Sequence, residues 1–478
     1  MSDNGNSDTN KGIIILGQRF PLGDPGVNVV TWQDDPNWGF EGIAYSKMSN
    51  GQTGTYFRKD KKGKIRLKYT EENMARLREK LKMVLLHTDL TADSRTCWRV
   101  LAQRGLYLLN SKKKFSPDKL ISIDVPAGLN SDSGNIISNT SCISSSTLSL
   151  GLFKSGLIQD SAIDFVGDLE RVDIGIPENI LADLPETQPL RISFSDLTTF
   201  VWPKPAQSQS KYQRGRVLVV AGSKKYRGAA SLALNGALAS GAGSTSAFLP
   251  NSVSSDLWIT HPEVLLLGDL NNFKDGSSGV SKVFNEVDLD RFESILLGPG
   301  LGIADEKDCF GSDLRDFKGL LILDADAINR LSKTSKGWKW LNDREGPTWL
   351  TPHLDEFKRL FPSVDCSYPL KAGIEAAKIC GSSVLLKCAH SVISDPFGKT
   401  WQIGQVDSSV ARTGLGDVLA GFVSGMGAIC LASTGKLNTN LLAASALMHA
   451  YAGASCSRGS TASEVCTRLA ELIRQESS

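Results

Sequence analysis

The sequence predicts an α/β protein with a mostly parallel central sheet, and three observations carry that expectation. Short apolar runs recur through residues 211–460, as in "GRVLVV", "SILLG", "GLLIL" and "SSVLL". Each is followed by glycine, aspartate or lysine, and helix-like segments separate them. Strands that alternate with helices bury both faces of a parallel sheet, and ligands of such sheets gather at the carboxyl ends of the strands.

Composition sets the outer limits. The chain has 478 residues, enough for two or three domains with ordinary cores. Its 53 Lys and Arg against 51 Asp and Glu leave a net charge of +2, too weak a field to imply nucleic acid or an anionic membrane as partner. Nine cysteines are scattered without a Cys-x-x-Cys pair, which predicts reduced thiols and a cytoplasmic location rather than a disulfide framework or a zinc ribbon. The polar start "MSDNGNSDTN" lacks the order of a signal peptide, and no apolar run is expected to reach transmembrane length. Function must come from local sites.

Three zones follow in order. Residues 1–110 are rich in turns, aromatics and charge; "RKDKKGKIRLK", Arg58–Lys68, reads as a solvated hairpin, because Asp60 interrupts the basic run and Lys-Gly supplies a turn. Residues 111–190 change to short strands, and in "LISIDVPAGLNSDSG" the apolar Leu120, Ile121, Ile123 and Val125 suggest a buried strand entering a Pro-Ala-Gly loop. In residues 191–478, "VWPKPAQSQSKYQRG", Val201–Gly215, has the proline and serine content of a linker or loop. Beyond it, "GAASLALNGALASGAG" is a small-residue helix expected to pack closely on the strand of "GRVLVVAGS".

Chemistry-bearing residues fall at the strand ends. In "ARTGLGDVLAG", Ala411–Gly421, two glycines let the backbone turn and present N–H groups, and a helix beginning near Asp417 adds the positive end of its dipole. A place in the first turn stabilises a carboxylate by roughly 0.3–1 kcal/mol and accounts for Asp417 without chemistry; a catalytic role is the alternative. "AGSKKYRGAA" is a loop entering a helix, open to phosphate contact or to plain close packing. "LLGPGLG", Leu296–Gly302, lets backbone approach a ligand unobstructed. In "DADAIN", Asp324 and Asp326 could orient a polar ligand or a metal through water, although capping the next helix is the preferred reading. "TPHLDEF" places Glu356 three residues after His353, the spacing of a helix entry.

Taken together and in order, these motifs with "VLLKCAHSVISDP" closely resemble the NAD(P)H-hydrate dehydratase family, a branch of the ribokinase-like fold, over residues 211–460. The resemblance implies a layered ribokinase-like domain that dehydrates hydrated NADH and NADPH, using ADP or ATP as co-substrate. It implies that Asp417 draws the proton from the ring hydroxyl, which attacks the terminal phosphoryl group before phosphate leaves. Ala230, Gly302, His353 and Asp417 would contact the hydrated cofactor. Lys387, Cys388, Ala389, His390, Ser391, Thr413, Gly414 and Gly416 would contact the nucleotide, the amides of Thr413–Gly416 stabilising phosphoryl charge. Cys388 stands where the family carries glycine, which puts close approach of the nucleotide in question. Magnesium as a further cofactor and a homo-oligomer are both compatible with the likeness.

Two further likenesses precede this domain. "ISIDVPAGLNSDSG", "LGLFKSGL" and "GDLERVDIGIP" resemble the second half of an NAD(P)H-hydrate epimerase, with Asp124 at the substrate-binding aspartate and Ala127 in place of a serine associated with potassium. Without the first half, an incomplete α/β segment with no epimerase activity and no potassium is expected. "FPLGDPGVNVVTWQDDPNWGFEGIAY" and "MVLLHTDLTADSRTCWRVLAQRGL" resemble a zinc-dependent N-acetylmuramoyl-L-alanine amidase, with His87 at a first-ligand position. Such a site needs three protein ligands, and the next histidine is His261, so an irregular, non-catalytic region without metal is expected. The competing functions are a ribokinase-like small-molecule kinase and a peptidoglycan amidase.

Overall fold

A computed structural model describes residues 57–59, 65–67, 120–137, 141–204, 208–303, 310–404, 411–437 and 440–477. The chain divides into two units, Met1–Asp183 and Leu184–Ser478. Most of the amidase-like segment, His87 included, lies outside the described residues. Within it, β1 (Phe57–Lys59) and β2 (Ile65–Leu67) pair antiparallel, as the hairpin reading requires.

The first unit also holds a parallel three-stranded sheet of β3 (Ile121–Ile123), β4 (Ser146–Leu150) and β5 (Asp168–Val172), with β4 central. Its apolar core is small: Val125, Leu129, Leu157, Ile158, Ala162 and Val166. The expected continuous burial at residues 120–125 is corrected. Leu120 and Val125 are buried, but Ile121 and Ile123 are half-buried while Ser122 faces inward, because successive side chains of a strand point to opposite faces. Ser122 is accommodated by a 2.6 Å hydroxyl contact with Ser144.

The second unit contributes β6 (Leu190–Ile192), β7 (Arg216–Val220), β8 (Ser244–Pro250), β9 (Leu265–Asn272), β10 (Ser278–Gly279), β11 (Ser294–Leu297), β12 (Leu320–Leu323), β13 (Thr348–Leu350), β14 (Ser383–Leu386), β15 (Val392–Ser394) and β16 (Thr400–Ile403). They form one sheet in the order β10-β9-β8-β7-β11-β12-β13-β14-β15-β16-β6. Only the β9–β10, β14–β15 and β15–β16 pairings are antiparallel, so the sheet is mostly parallel. Because β6 pairs with β16, the Pro- and Ser-rich stretch after it falls inside this unit rather than ahead of it.

Its principal helices are α1 (Arg227–Ala239), α2 (Asp326–Lys333), α3 (Leu354–Leu360), α4 (Pro369–Cys380), α5 (Leu415–Thr434), α6 (Asn440–Ala454) and α7 (Ala462–Ser477). Val217, Val219, Leu296, Leu320 and Ile322 share one core with Ala233, Val418 and Leu447 of α1, α5 and α6. The alternate residues Leu218, Val220, Ile295, Leu297, Leu321 and Leu323 share the other with Ile328, Phe357 and Ala376 of α2, α3 and α4. Both faces of the sheet are therefore covered, which is why its strands read as unbroken apolar runs. Each fully buried Leu or Ile contributes roughly 1.5–3 kcal/mol.

The small residues of α1 serve chiefly its approach to α5. A Cβ at Gly421 would collide with the Ala233 carbonyl oxygen, and one at Gly236 with that of Val418. Contrary to the expectation for apolar runs, Leu415–Thr434 is long and apolar enough to cross a membrane, but 78% of its most apolar 18-residue window is buried. Its hydropathy is accounted for by a core position that fixes the helix start against the sheet.

Candidate active site

The strand order reverses around β7, which has β8 on one side and β11 on the other, and a crevice at the carboxyl ends follows from such a reversal. The ends of β12, β13 and β14 supply Asp324, Thr351 and Lys387 there. Facing them is the start of α5. Gly414 precedes it at φ +93°, a left-handed value that favours glycine, and Asp417 occupies the first turn.

Asp417 does not cap the helix: no side-chain capping bond forms at Gly414, and the Asp417 carboxylate makes no hydrogen bond among the described residues. Burial, reinforced by Asp324, pushes its pKa up to about 7 against the pull of Lys387. A carboxyl group poised there can accept a proton near neutral pH.

Lys387 organises the charges. Its Nζ donates to Asp324 Oδ1 at 2.7 Å, and Thr351 Oγ1 donates to the same oxygen at 2.7 Å. Burial disfavours the ammonium, yet Asp324 and Glu356 hold its pKa above the ordinary lysine value. A Cβ on Gly416 would lie 3.4 Å from that nitrogen, so the ammonium sits against the first turn of α5. A glycine turn, helix-start amides and a lysine together form a receptacle for an anion.

His353 and Glu356 enter α3 as the spacing predicts. His353 is the N-cap: its Nδ1 accepts from the Asp355 amide at 3.1 Å, while Glu356 Oε2 accepts from the His353 amide at 2.9 Å. His353 Nε2 lies 3.1 Å from Glu356 Oε1. Burial and the nearby Lys387 ammonium hold the imidazole below its usual pKa, which suits a neutral ring accepting at Nδ1. Burial raises Glu356 to about 7, with Lys387 opposing.

The preferred reading of Asp324 and Asp326 as helix caps is overturned. At the start of α2 the N-cap position is Ala325, at φ +48°, with no side-chain capping bond. Asp324, 2% exposed, turns to Lys387 and Thr351, and Asp326 Oδ2 accepts from the Gly302 amide at 2.7 Å. Neither Thr351 nor the ion pair stood out in the sequence; the available signal was a polar residue ending each of several adjacent apolar strands.

The remaining sequence-derived positions divide. Ala230 is fully buried near the start of α1, behind Gly222, whose amide donates to the Pro299 carbonyl at 2.8 Å. Cys388, Ala389, His390 and Ser391 form the turn between β14 and β15, closed by Ser391 Oγ donating to the Cys388 carbonyl at 2.9 Å. Cys388 is not among the positive-φ residues, and its thiol turns onto the His390 carbonyl at 3.2 Å. The turn thus accommodates a side chain without backbone strain. Thr413 is exposed just ahead of Gly414. Asp124 and Ala127 belong to the first unit; Asp124, at φ +69°, accepts from Lys154 and from the Leu150 amide, and the Ala127 carbonyl accepts from the Cys142 amide.

Residues 217–475 match the protein family described as NAD(P)H-hydrate dehydratase. The chain is 36% identical over 341 residues to a bifunctional NAD(P)H-hydrate repair enzyme of Synechocystis sp., covering 70% of this chain and 63% of that protein. It is 33% identical over 312 residues to the protein of the same name from Gloeobacter violaceus, covering 64% and 60%. The chain thus spans about 60% of the length of these curated relatives. Among solved structures it is similar to the ADP/ATP-dependent NAD(P)H-hydrate dehydratase of Bacillus subtilis co-crystallized with ATP/Mg2+, at TM-score 0.50 and 23% identity over 60% of this chain and 99% of that one. That likeness bears out the layered ribokinase-like fold. The family match begins at residue 217 and lends no support to the amidase resemblance of residues 1–110.

Proposed function

This chain belongs to the NAD(P)H-hydrate dehydratase family, and from that membership we propose that its second unit converts (S)-NAD(P)H-hydrate to NAD(P)H at the expense of ADP or ATP. The observation that carries the reading is Asp417: a carboxyl group with its pKa raised to about 7, in the first turn of a helix whose start faces the Lys387 ammonium. Asp417 takes the proton of the ring hydroxyl as the hydroxyl oxygen bonds to the terminal phosphorus. The bond from that phosphorus to the bridging oxygen breaks, leaving AMP or ADP. The phosphorylated ring then loses phosphate and a proton, restoring the ring double bond.

The amides of Thr413–Gly416 and Lys387 receive the phosphoryl charge, the kind of preorganised donor set that phosphoryl transfer depends on. Ala230, Gly302 and His353 are assigned to the hydrated cofactor, and the Cys388–Ser391 turn to the nucleotide. Among the described residues no three His, Cys, Asp or Glu side chains are placed to hold a metal ion; a magnesium ion would be held chiefly by the nucleotide's phosphates, and no step above runs through one. The first unit is assigned a scaffolding role without epimerase activity.

The test is direct. Purified chain incubated with (S)-hydrated NADH should recover NADH absorbance only when ADP or ATP is added. No nucleotide-dependent recovery from folded protein would sink the reading, and accumulation of a stable phosphorylated product would replace it with a kinase.

A further inference from the structure

Arg330, on α2, is a buried cation that reaches backbone carbonyls. It is 3% exposed, yet its guanidinium donates to three carbonyl oxygens: Nε to Gly302 at 2.9 Å, and Nη2 to Gly302 at 2.8 Å, Ser278 at 2.7 Å and Leu301 at 3.1 Å. The other side of the same residue is held by Asp326, four residues earlier on α2, which accepts from the Gly302 amide at 2.7 Å. Asp326 is itself steadied by Asn329 Nδ2 at 3.4 Å, and Asn329 Oδ1 accepts from Arg359 of α3 at 2.8 Å.

A fold needs no buried guanidinium to keep a loop in place, because desolvating a charge costs several kcal/mol and an apolar side chain of similar volume is often as stabilising. What the charge adds is specificity of position. Gly302 has φ +78°, and a Cβ there would lie 2.7 Å from Ser277 Cβ, so this residue is constrained by its neighbours, by one anion and by one cation at once. The Ser278 amide also donates to the Leu301 carbonyl at 2.8 Å, tying the turn before β10 to the same clamp.

We propose that Arg330 and Asp326 are positioning residues that hold the Gly302 backbone as a fixed wall against the hydrated nicotinamide ring, setting affinity for that ring rather than the phosphoryl-transfer step. The assignment rests on the function proposed above, through the role given to Gly302.

The experiment compares wild-type full-length chain with Arg330→Met and Arg330→Lys. Arg330→Met should raise KM for the hydrated cofactor about tenfold or more, with kcat and the calorimetric affinity for ADP changed less than about twofold; Arg330→Lys, which keeps a cation able to reach some of the carbonyls, should recover part of the loss. Hydrogen exchange read by mass spectrometry should speed up in Arg330→Met at residues 298–303 and 277–279 while the strands of the sheet keep their protection. Unchanged KM in Arg330→Met, a parallel loss of ADP affinity, or faster exchange across the whole unit in both variants would overturn the proposal. If the wild-type chain shows no turnover, the functional reading falls by itself, and the exchange pattern still decides whether Arg330 holds Gly302.

Discussion

Each unit places an aspartate at the carboxyl end of a strand beside a lysine, and the two pairs do different things. In the first unit Asp124 and Lys154 have side chains 41% and 27% exposed, where water screens the charges and such a pair is worth little. In the second, Asp324 is 2% and Lys387 22% exposed, and the same two groups help to set Asp417 and Glu356 near pH 7. A charge pair becomes part of a reactive site when the surrounding layers remove water from it. The second unit has helices on both faces of its sheet to do this, whereas the core described for the first is six side chains.

The contrast is sharpest at Asp417. Asp417→Asn should lower turnover about 100- to 10,000-fold, the usual worth of a general base, while circular dichroism and ADP affinity stay near wild type; appreciable residual turnover would remove its assigned role. The same substitution has a stability signature. A carboxyl whose folded pKa is raised loses stability as pH climbs from its unfolded value through about 7. Asp417→Asn should therefore be more stable than wild type at pH 8 and no different at pH 3, as denaturant unfolding would show.

Lys387→Met leaves Asp324 buried without its cation and should cost roughly 3–5 kcal/mol. It also removes the charge that lowers Asp417, so whatever turnover remains should have its acid limb moved to higher pH. A limb that stays in place would separate Lys387 from the base. In the wild-type protein kcat/KM should rise with pH through about 7, where Asp417 ionises, and level off above it; a profile flat from pH 5 to 8 would contradict the poised carboxyl.

Two smaller effects bound the comparison. Cys388→Gly should change ADP affinity by no more than about threefold, since the turn is neither left-handed nor strained at that residue and substitutions that break no named feature cost roughly 0.5 kcal/mol. Lys154→Ala should cost the first unit less than about 1 kcal/mol and leave nucleotide-dependent dehydration unchanged. A large loss of turnover there would show that the first unit does more than scaffold.

The most readable parts of the sequence were those where one local rule sufficed. The apolar runs of β7, β11, β12 and β14 needed only their composition, the His353 to Glu356 spacing named a helix entry, and Gly414 marked a turn. The misreadings came where two rules competed. Asp324 and Asp326 satisfy the pattern of a helix cap, but Lys387, 63 residues after Asp324, and the Gly302 amide, 24 residues before Asp326, offer stronger partners than the α2 amides do. Ile121 and Ile123 read as core, yet the alternation of a strand turned Ser122 inward instead.

By itself the sequence determined the α/β class, the order of the motifs and the placing of polar residues at strand ends, because these follow from short-range periodicity and turn chemistry. Only the tertiary structure decided which of those residues act together. Burial and the electrostatic reach of Lys387 depend on neighbouring strands whose paired residues, Leu321 with Thr348 and Trp349 with Ser383, are far apart in the chain, and no local pattern records that. Asp417 is ambiguous as a residue in the first turn of a helix; its carboxyl is poised near pH 7 once the fold buries it and the sheet brings Asp324, Glu356 and Lys387 to it.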